Sequence, residues 1–269
     1  MTGRLAVLGS PVAHSRSPLL HAAAAEVLGL DWDYGRIEAT EATLPGVLAG
    51  LGPEWVGLSL TMPLKRAVLP LVPAHDPLVD RLGLANTLRL GARPHLANTD
   101  VGGVEAVLRD LAGAGRAIVL GGGATAASAL EALGRLGVGE RVLAARRPDA
   151  AARDLAGLAE RFEPLSAVDL ASADVVVSTL PGHAEVDVRV PDAVAGVPLL
   201  DVAYSPWPTA LGGRWLAAGG RLRHGLDMLV EQAVLQVRVF TDADPDVPMP
   251  REDAVRAAMR AAVGRDVEG

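Results

Sequence analysis

The segment SLTMPLK, from Ser59 to Lys65, contains the one lysine of this chain. The sequence has 25 basic residues, and every one except Lys65 is arginine. A desolvated lysine ammonium can donate a proton near neutral pH, whereas arginine stays protonated. The residue type therefore indicates a proton donor at position 65. The alternative is that the last lysine stands there by chance.

Side-chain amides are equally scarce, and their positions are therefore informative. Asparagine occurs only at Asn86 and Asn98, and glutamine only at Gln232 and Gln236. Asp100 follows Asn98 closely and is the candidate carboxylate to hold the ammonium of Lys65 in place. We expect Asn98 to order its turn and give Gln236 little weight. Lys65, Asn86, Asp100 and Gln232 are the candidate functional residues of this group.

Hydroxyl groups accompany these residues. Ser15 and Ser17 in HSRSP stand two residues apart before a proline-started helix, where both could face a polyol or a carboxylate. Alternatively, Ser17 only caps that helix. Ser59 and Thr61 lie at the end of a predicted strand, the edge at which α/β sheets bind ligands. We interpret these residues as a polar ligand cleft, the alternative being unrelated caps and turns.

A glycine turn lies in the second half of the chain. Gly121, Gly123 and Ala126 form a G-x-G-x-x-A pattern between the apolar run RAIVL and a helical stretch. In this setting the glycines permit a tight turn and a close approach to a diphosphate, which the following helix N-terminus attracts. The pattern predicts a nucleotide site, and the alternative is a merely tight strand-to-helix turn.

The next predicted strand ends in AARRP. NAD sites usually carry an acidic residue here for the ribose 2′-hydroxyl, whereas Arg146 and Arg147 suit a 2′-phosphate. The sequence therefore favours NADP over NAD. The alternative is an ordinary solvated arginine pair.

Short apolar runs alternate with amphipathic stretches, which indicates an α/β architecture in two blocks. The predicted strands are 4–9, 33–39, 55–61, 86–90, 95–100, 116–123, 141–147, 173–179 and 197–204. The predicted helices are 17–30, 41–51, a short one after Pro63, 101–115, 124–137, one ending near Arg161, 225–240 and 251–264.

Composition excludes several classes of function. The net charge is −7 and aromatic residues make up 3% of the chain, so nucleic-acid binding is not expected. The chain contains no cysteine, which excludes disulfides, thiolate metal sites and a cysteine nucleophile. We predict no metal site. Without a signal-peptide pattern or an apolar run of about 18 residues, we expect a soluble cytoplasmic protein that does not bind membranes.

Taken together and in order, eight stretches resemble the shikimate dehydrogenase family over nearly the whole chain. They are GSPVAHSRSP, VGLSLTMPLK, GLANTL, NTDVGG, VLGGGATAAS, VVSTLPG, DVAYSPWPT and GLDMLVEQA. The resemblance implies NADPH-dependent reduction of 3-dehydroshikimate to shikimate, in the chorismate pathway to aromatic amino acids. It also implies two lobes with the active-site cleft between them. An N-terminal α/β substrate lobe, 1–101, would be rejoined by C-terminal helices at 226–269. A Rossmann NADP-binding lobe would span 102–225.

The resemblance also implies roles for individual residues. Lys65 and Asp100 would be the catalytic pair, and Ser15 and Ser17 would bind the substrate carboxylate. The other substrate-binding positions would be Ser59, Thr61, Asn86, Asp100, Tyr204 and Gln232. The NADP-binding positions would be Gly121, Gly122, Gly123, Ala124, Thr125, Arg146, Arg147, Val202, Gly225 and Met228.

The chain departs from the family pattern in places. The family usually has asparagine at the position of Ser59, and its usual NRT after the second Rossmann strand is ARR here. Its glycine turn is more commonly GAGGA than GGGAT. Three other functions stay open: an NAD-dependent quinate/shikimate dehydrogenase, another two-lobed NADP dehydrogenase acting on a folate or an amino acid, and a non-catalytic dinucleotide sensor. The sequence does not distinguish a monomer from a homodimer.

Overall fold

The computed structural model describes residues 2–184, 187–192, 194–242 and 247–264. It has a mixed α/β fold that divides into two compact units, Met1–Thr99 with Val230–Gly269 and Asp100–Leu229. The α/β class predicted from the sequence is confirmed. In the described part of the chain, every helix is too short or too polar to cross a bilayer.

The first unit contains a five-stranded sheet in the order β2-β1-β3-β4-β5. Strand β1 pairs in parallel with β2 and β3, whereas β4 runs antiparallel to β3 and to β5. The strands are β1 (Gly3–Gly9), β2 (Trp32–Glu38), β3 (Trp55–Leu60), β4 (Thr87–Arg89) and β5 (His95–Ala97). The helices are α1 (Ser17–Leu28), α2 (Leu44–Ala49), α3 (Leu64–Ala67) and α4 (Pro77–Leu82).

Local sequence explains how these elements begin and end. Helix α1 has proline in its first turn, where the missing N–H is not needed, and ends at Gly29 in the left-handed conformation with φ of 68°. Leu8, Leu58 and Leu64 are fully buried and pack in one core cluster. The buried side chain of Leu64 fixes α3, the short helix that carries Lys65, to this core.

The second unit contains a six-stranded parallel sheet in the order β11-β10-β9-β6-β7-β8. Its strands are β6 (Arg116–Leu120), β7 (Glu140–Ala145), β8 (Arg161–Pro164), β9 (Val175–Ser178), β10 (Pro198–Asp201) and β11 (Arg221–His224). Its helices include α5 (Asp100–Leu108), α6 (Ala124–Arg135), α7 (Pro148–Asp154) and α8 (Ala210–Ala217). The strand order reverses between β6 and β9, the switch point at which doubly wound sheets bind dinucleotides.

Two C-terminal helices complete the chain, α9 (Gly225–Phe240) and α10 (Glu252–Gly264). Helix α9 starts in the second unit and ends in the first, and α10 packs against α1. Arg238 of α9 and Glu252 of α10 form a buried pair, with both Nε–Oε2 and Nη2–Oε1 at 2.8 Å.

One predicted helix was too long, and several elements of the structure were not predicted. The helix expected to reach about Arg161 ends at Asp154, and β8 begins at Arg161. Gly157 lies between them at φ of 79°, a conformation that ends a right-handed helix. Elements α4, α8, β8 and β11 were not predicted. Strand β11 has the sequence RLRH, which lacks the apolar run that indicated the other strands of this sheet.

Candidate active site

The hydroxyls of Ser15 and Ser17 lie side by side, as their spacing predicted. Ser15 Oγ donates to Ser17 Oγ at 3.3 Å and accepts the Ser17 N–H at 3.3 Å. The alternative in which Ser17 caps α1 is wrong, because Arg16 occupies the N-cap position and Ser17 is the first helical residue. The loop thus presents a pair of small polar groups that can donate to one anionic ligand.

Two aromatic rings lie behind this serine pair. The rings of Tyr34 and His21 stack with centroids 4.2 Å apart, and His21 Nδ1 donates to the Ser17 carbonyl at 2.9 Å. Burial lowers the pKa of His21 to about 4, although that hydrogen bond opposes the shift. Burial raises the pKa of Tyr34, against hydrogen bonds with Ser59 and Ser17 and the nearby charge of Arg36. Both rings are therefore neutral at pH 7.

Ser59 connects Tyr34 to helix α9. The Tyr34 hydroxyl donates to Ser59 Oγ at 2.6 Å, and Ser59 Oγ donates to Gln236 Oε1 at 2.8 Å. A serine hydroxyl has one donor and two acceptor positions, so one acceptor position of Ser59 is left for a ligand.

Asn86 and Gln232 belong to the same buried polar network. Asn86 Nδ2 donates to Thr99 Oγ1 at 2.9 Å and to Gln232 Oε1 at 3.3 Å. Gln236 Nε2 donates to the Asn86 carbonyl at 3.1 Å and to Thr87 Oγ1 at 3.0 Å. The structure thus brings Asn86 and Gln232 together, although they are 146 residues apart in sequence.

The sequence did not predict the importance of Gln236, Thr87 and Thr99. A signal for Gln236 was available, because a residue four positions after Gln232 lies on the same face of a helix. Thr99 has a second role, since its N–H donates to Asn86 Oδ1 at 2.8 Å. This bond fixes the backbone immediately before Asp100.

The two proposed catalytic residues lie at the starts of helices. Lys65 is half-buried in α3, and its carbonyl accepts the Ala85 N–H at 2.8 Å. Thr61 lies just before this helix, and its carbonyl accepts the Leu64 N–H at 2.7 Å. Asp100 is buried at the first position of α5. An acidic residue is favourable there because it complements the helix dipole.

The glycine turn between β6 and α6 suits a diphosphate. Gly121 has φ of 116°, and a Cβ there would lie 2.3 Å from Thr179 Oγ1. At Gly123, the N-cap of α6, nothing lies within 4 Å of where a Cβ would be. Gly122 lies between them, and Ala124 and Thr125 form the first turn of α6. The open space and the unpaired N–H groups of that turn fit a phosphate ligand.

Arg146 and Arg147 follow β7 directly and are exposed. Within the described part of the chain, neither guanidinium has a carboxylate partner. Both are therefore available for a phosphate group, which is consistent with the sequence interpretation that favours NADP.

The remaining predicted cofactor positions lie near the ends of β10 and β11. A Cβ on Gly225 would be 2.4 Å from the Val202 carbonyl oxygen, so these two backbones touch. Met228 is buried one turn further along α9, and Tyr204 is half-buried after β10. His224, which the sequence did not indicate, accepts the Leu226 N–H at 3.0 Å at the start of α9. Among the described residues, no cluster of His, Cys, Asp or Glu is arranged to hold a metal ion.

Family models match both ends of the chain. The model "Shikimate dehydrogenase substrate binding domain" matches residues 7–88, and "Shikimate 5'-dehydrogenase C-terminal domain" matches residues 225–263. The shikimate dehydrogenase (NADP(+)) of Citrifermentans bemidjiense is 36% identical over 261 residues, covering 89% of this chain and 90% of the relative. That of an Anaeromyxobacter species is 38% identical over 293 residues, covering 98% of this chain and 99% of the relative.

Solved structures give the same result. Mycobacterium tuberculosis shikimate dehydrogenase has a TM-score of 0.81 and 42% identity, covering 96% of this chain and 99% of that one. The Thermus thermophilus enzyme in complex with NADP(H) and shikimate has a TM-score of 0.81 and 29% identity, covering 97% of this chain and 100% of that one. The fold, the predicted motifs and these similarities lead to one conclusion: the chain belongs to the shikimate dehydrogenase family.

Proposed function

We propose that this protein is an NADP-dependent shikimate dehydrogenase that reversibly reduces 3-dehydroshikimate to shikimate. The observation that carries the proposal is its similarity, over nearly its whole length, to enzymes named shikimate dehydrogenase (NADP(+)). The buried network around Asn86 and Gln232 supports it, because side-chain amides in a polar site suit a ligand with several hydroxyls.

Most of the proposed substrate-binding residues belong to the first unit. Ser15 and Ser17 would donate to the carboxylate, since their hydroxyls lie only 3.3 Å apart. Thr61, Asn86 and Gln232, with the free acceptor position of Ser59, bind the ring hydroxyls. Asp100 and Tyr204 are the further substrate-binding residues that we propose.

Lys65 would hold and release the proton of the reaction. During reduction its ammonium donates a proton to the oxygen of the reacting carbonyl, and during oxidation the neutral amine takes it back. Asp100 would accept a hydrogen bond from the substrate. The buried Leu64 precedes Lys65 in α3 and fixes the backbone there to the core.

The second unit would hold NADP. The turn formed by Gly121, Gly122, Gly123, Ala124 and Thr125 would hold the diphosphate, and Arg146 and Arg147 would pair with the 2′-phosphate. Val202, Gly225 and Met228 would lie beside the nicotinamide. When bound, NADPH supplies the hydride that the side chains of this protein cannot supply.

A spectrophotometric assay with the purified protein tests this proposal. Shikimate and quinate are each offered with NADP and with NAD, and reduced cofactor is followed at the nicotinamide absorbance band. We expect the highest kcat/KM with shikimate and NADP. A preference for NAD or quinate would support the quinate/shikimate dehydrogenase instead, and no turnover with any combination would support the non-catalytic sensor.

We also propose that the enzyme works in the cytoplasm, where NADPH is available as a reductant. Cell fractionation followed by immunodetection would test this location. Enrichment in any other fraction would contradict it.

A further inference from the structure

One face of strand β2 holds the loop that carries Ser15 and Ser17. This strand lies at the edge of its sheet, and alternate side chains along a strand point to the same face. Tyr34, Arg36 and Glu38 share that face, and each bonds to the loop. Glu38 Oε2 accepts the Val12 N–H at 3.1 Å, Arg36 donates to the Ser15 carbonyl, and the Tyr34 hydroxyl bonds with Ser17.

Arg36 contacts this loop through two hydrogen bonds. Its Nε and Nη2 both donate to the Ser15 carbonyl oxygen, at 3.1 and 2.6 Å. A guanidinium has five N–H donors, so three remain after these two bonds. Within the described part of the chain, Arg36 forms no ion pair with a carboxylate. A full positive charge therefore lies against the backbone of Ser15, one of the two residues of the serine pair.

Two serine hydroxyls do not by themselves distinguish a charged ligand from a neutral one. Each is a neutral donor, and a carboxylate, an ester and an amide all offer oxygen acceptors to it. A nearby cation does distinguish them, because it attracts only the carboxylate by its net charge. In water, two opposite unit charges about 4 Å apart attract each other by about 1 kcal/mol, a factor of about five in affinity.

We propose that Arg36 is a specificity-determining residue, which makes the Ser15–Ser17 pair select a carboxylate over an uncharged group of the same shape. This inference rests on the proposed function, because it takes the serine pair as the carboxylate subsite. Arg36 acts in two ways, by its charge and by its hold on the Ser15 carbonyl. The two effects are separable, since a positional effect weakens every ligand of the serine pair and a charge effect weakens only the anion.

The test compares shikimate with its methyl ester, which keeps the ring and loses the charge. The KM of shikimate and the inhibition constant of the ester are measured for the wild type, Arg36→Lys and Arg36→Gln. We expect Arg36→Gln to raise the KM of shikimate about fivefold more than it raises the inhibition constant of the ester. Arg36→Lys should keep most of the wild-type preference, because it retains the charge.

Glu38→Gln is a matched variant that removes a negative charge instead of a positive one. The amide oxygen can still accept the Val12 N–H, and a negative charge about 7 Å along the strand from Arg36 is removed. We expect a stronger preference for shikimate over the ester. High salt should reduce the preference of the wild type and leave that of Arg36→Gln nearly unchanged, because salt screens exposed charges.

Three results would overturn the inference. Equal weakening of both ligands in Arg36→Gln would show that Arg36 only positions the loop. Unchanged constants in that variant would show that it has no role in binding. An unchanged preference in Glu38→Gln, with normal thermal stability, would exclude the electrostatic effect. Wild-type turnover of shikimate is measured first, so failure of the proposed function is recognised separately.

Discussion

Arg146 and Arg147 carry the proposed cofactor preference at the level of single residues. Replacing both with glutamine should raise the KM for NADP at least about tenfold, because a hydrogen bond to a charged group contributes about 1.5–3 kcal/mol. The KM for NAD should change little, since NAD lacks the 2′-phosphate. Steady-state kinetics with both cofactors measure the two effects.

Arg153→Gln is the matched control for this prediction. Arg153 is also exposed and lies close by, in the last turn of α7. It should leave both Michaelis constants unchanged. A double variant at 146 and 147 that binds NADP normally would assign the 2′-phosphate to other residues.

His21 should make the stability of the protein depend on pH. Its folded pKa is about 4 and its ordinary value is 6.5, so between these values the unfolded chain binds a proton that the native state excludes. The free energy of unfolding therefore falls as the pH drops from about 6.5 towards 4. At pH 5 the loss attributable to His21 should be about 2 kcal/mol.

Urea unfolding at pH 7.5 and pH 5 tests this prediction in the wild type and in His21→Phe. Phenylalanine can still stack on Tyr34, and it has no proton to gain. We expect the variant to lose about 2 kcal/mol less between the two pH values than the wild type does. An equal loss in both proteins would show that His21 does not contribute to acid sensitivity.

Single residues were predictable where residue type and spacing were unusual. The proximity of the Ser15 and Ser17 hydroxyls followed from their spacing, and the buried position of Asn86 and Gln232 fits their scarcity. Tyr34 and Gln236 were not predicted as part of the site. Their roles depend on strand pairing and on a helix from the end of the chain, which sequence spacing alone does not reveal.

At the level of elements, the turn between β6 and α6 contains one glycine that its backbone conformation requires and one whose surroundings are open. Substitutions at these two positions therefore separate effects on backbone strain from effects on ligand binding. Gly121→Ala should lower the thermal midpoint by about 3 °C or more, because φ of 116° and a contact of 2.3 Å with Thr179 Oγ1 both oppose a side chain. Gly123→Ala should leave the midpoint nearly unchanged, since its surroundings are open.

The stable variant, Gly123→Ala, should nevertheless bind NADP poorly. In Gly123→Ala the new methyl group occupies the space that a phosphate would approach, so the KM for NADP should rise despite normal stability. Thermal unfolding and kinetics are measured on both proteins. Normal NADP binding by a stable Gly123→Ala variant would place the diphosphate elsewhere.

Elements with strong periodicity or long apolar runs were predictable, and the short polar ones were not. Strands β6, β9 and β10 are entirely or almost entirely buried, which produces the apolar runs from which they were predicted. Strand β8 is only partly buried at the edge of its sheet, and its sequence RFEP lacks such a run. The prediction of a long helix after β7 failed because that edge strand was missed.

At the level of the whole molecule, the chain leaves the first unit at Thr99 and returns to it at Val230. Sequence periodicity did not show to which unit the last two helices belong, because it identifies the apolar face of a helix but not the surface against which that face packs. The assignment of 1–101 with 226–269 to substrate and of 102–225 to NADP stays a proposal. In the first unit, the returning chain is fixed by Glu252, which accepts from Arg238 and Arg256.

Removing one partner of this buried pair should destabilise the protein. Glu252→Ala leaves the Arg238 charge buried without its carboxylate, which costs about 3–5 kcal/mol in comparable pairs. The neighbouring Asp253→Ala removes an exposed partner of Arg256 and should cost less than about 1 kcal/mol. Urea unfolding measures both, and similar losses in the two variants would contradict a special role for the buried pair.

Lys65→Arg tests the central claim of this account most directly. Arginine keeps the positive charge and cannot release its proton near neutral pH, so binding and chemistry are separated in one variant. Steady-state kinetics with shikimate and NADP should show kcat reduced by about 100-fold or more, with a much smaller change in the KM of shikimate. Turnover close to that of the wild type would show that Lys65 does not donate the proton.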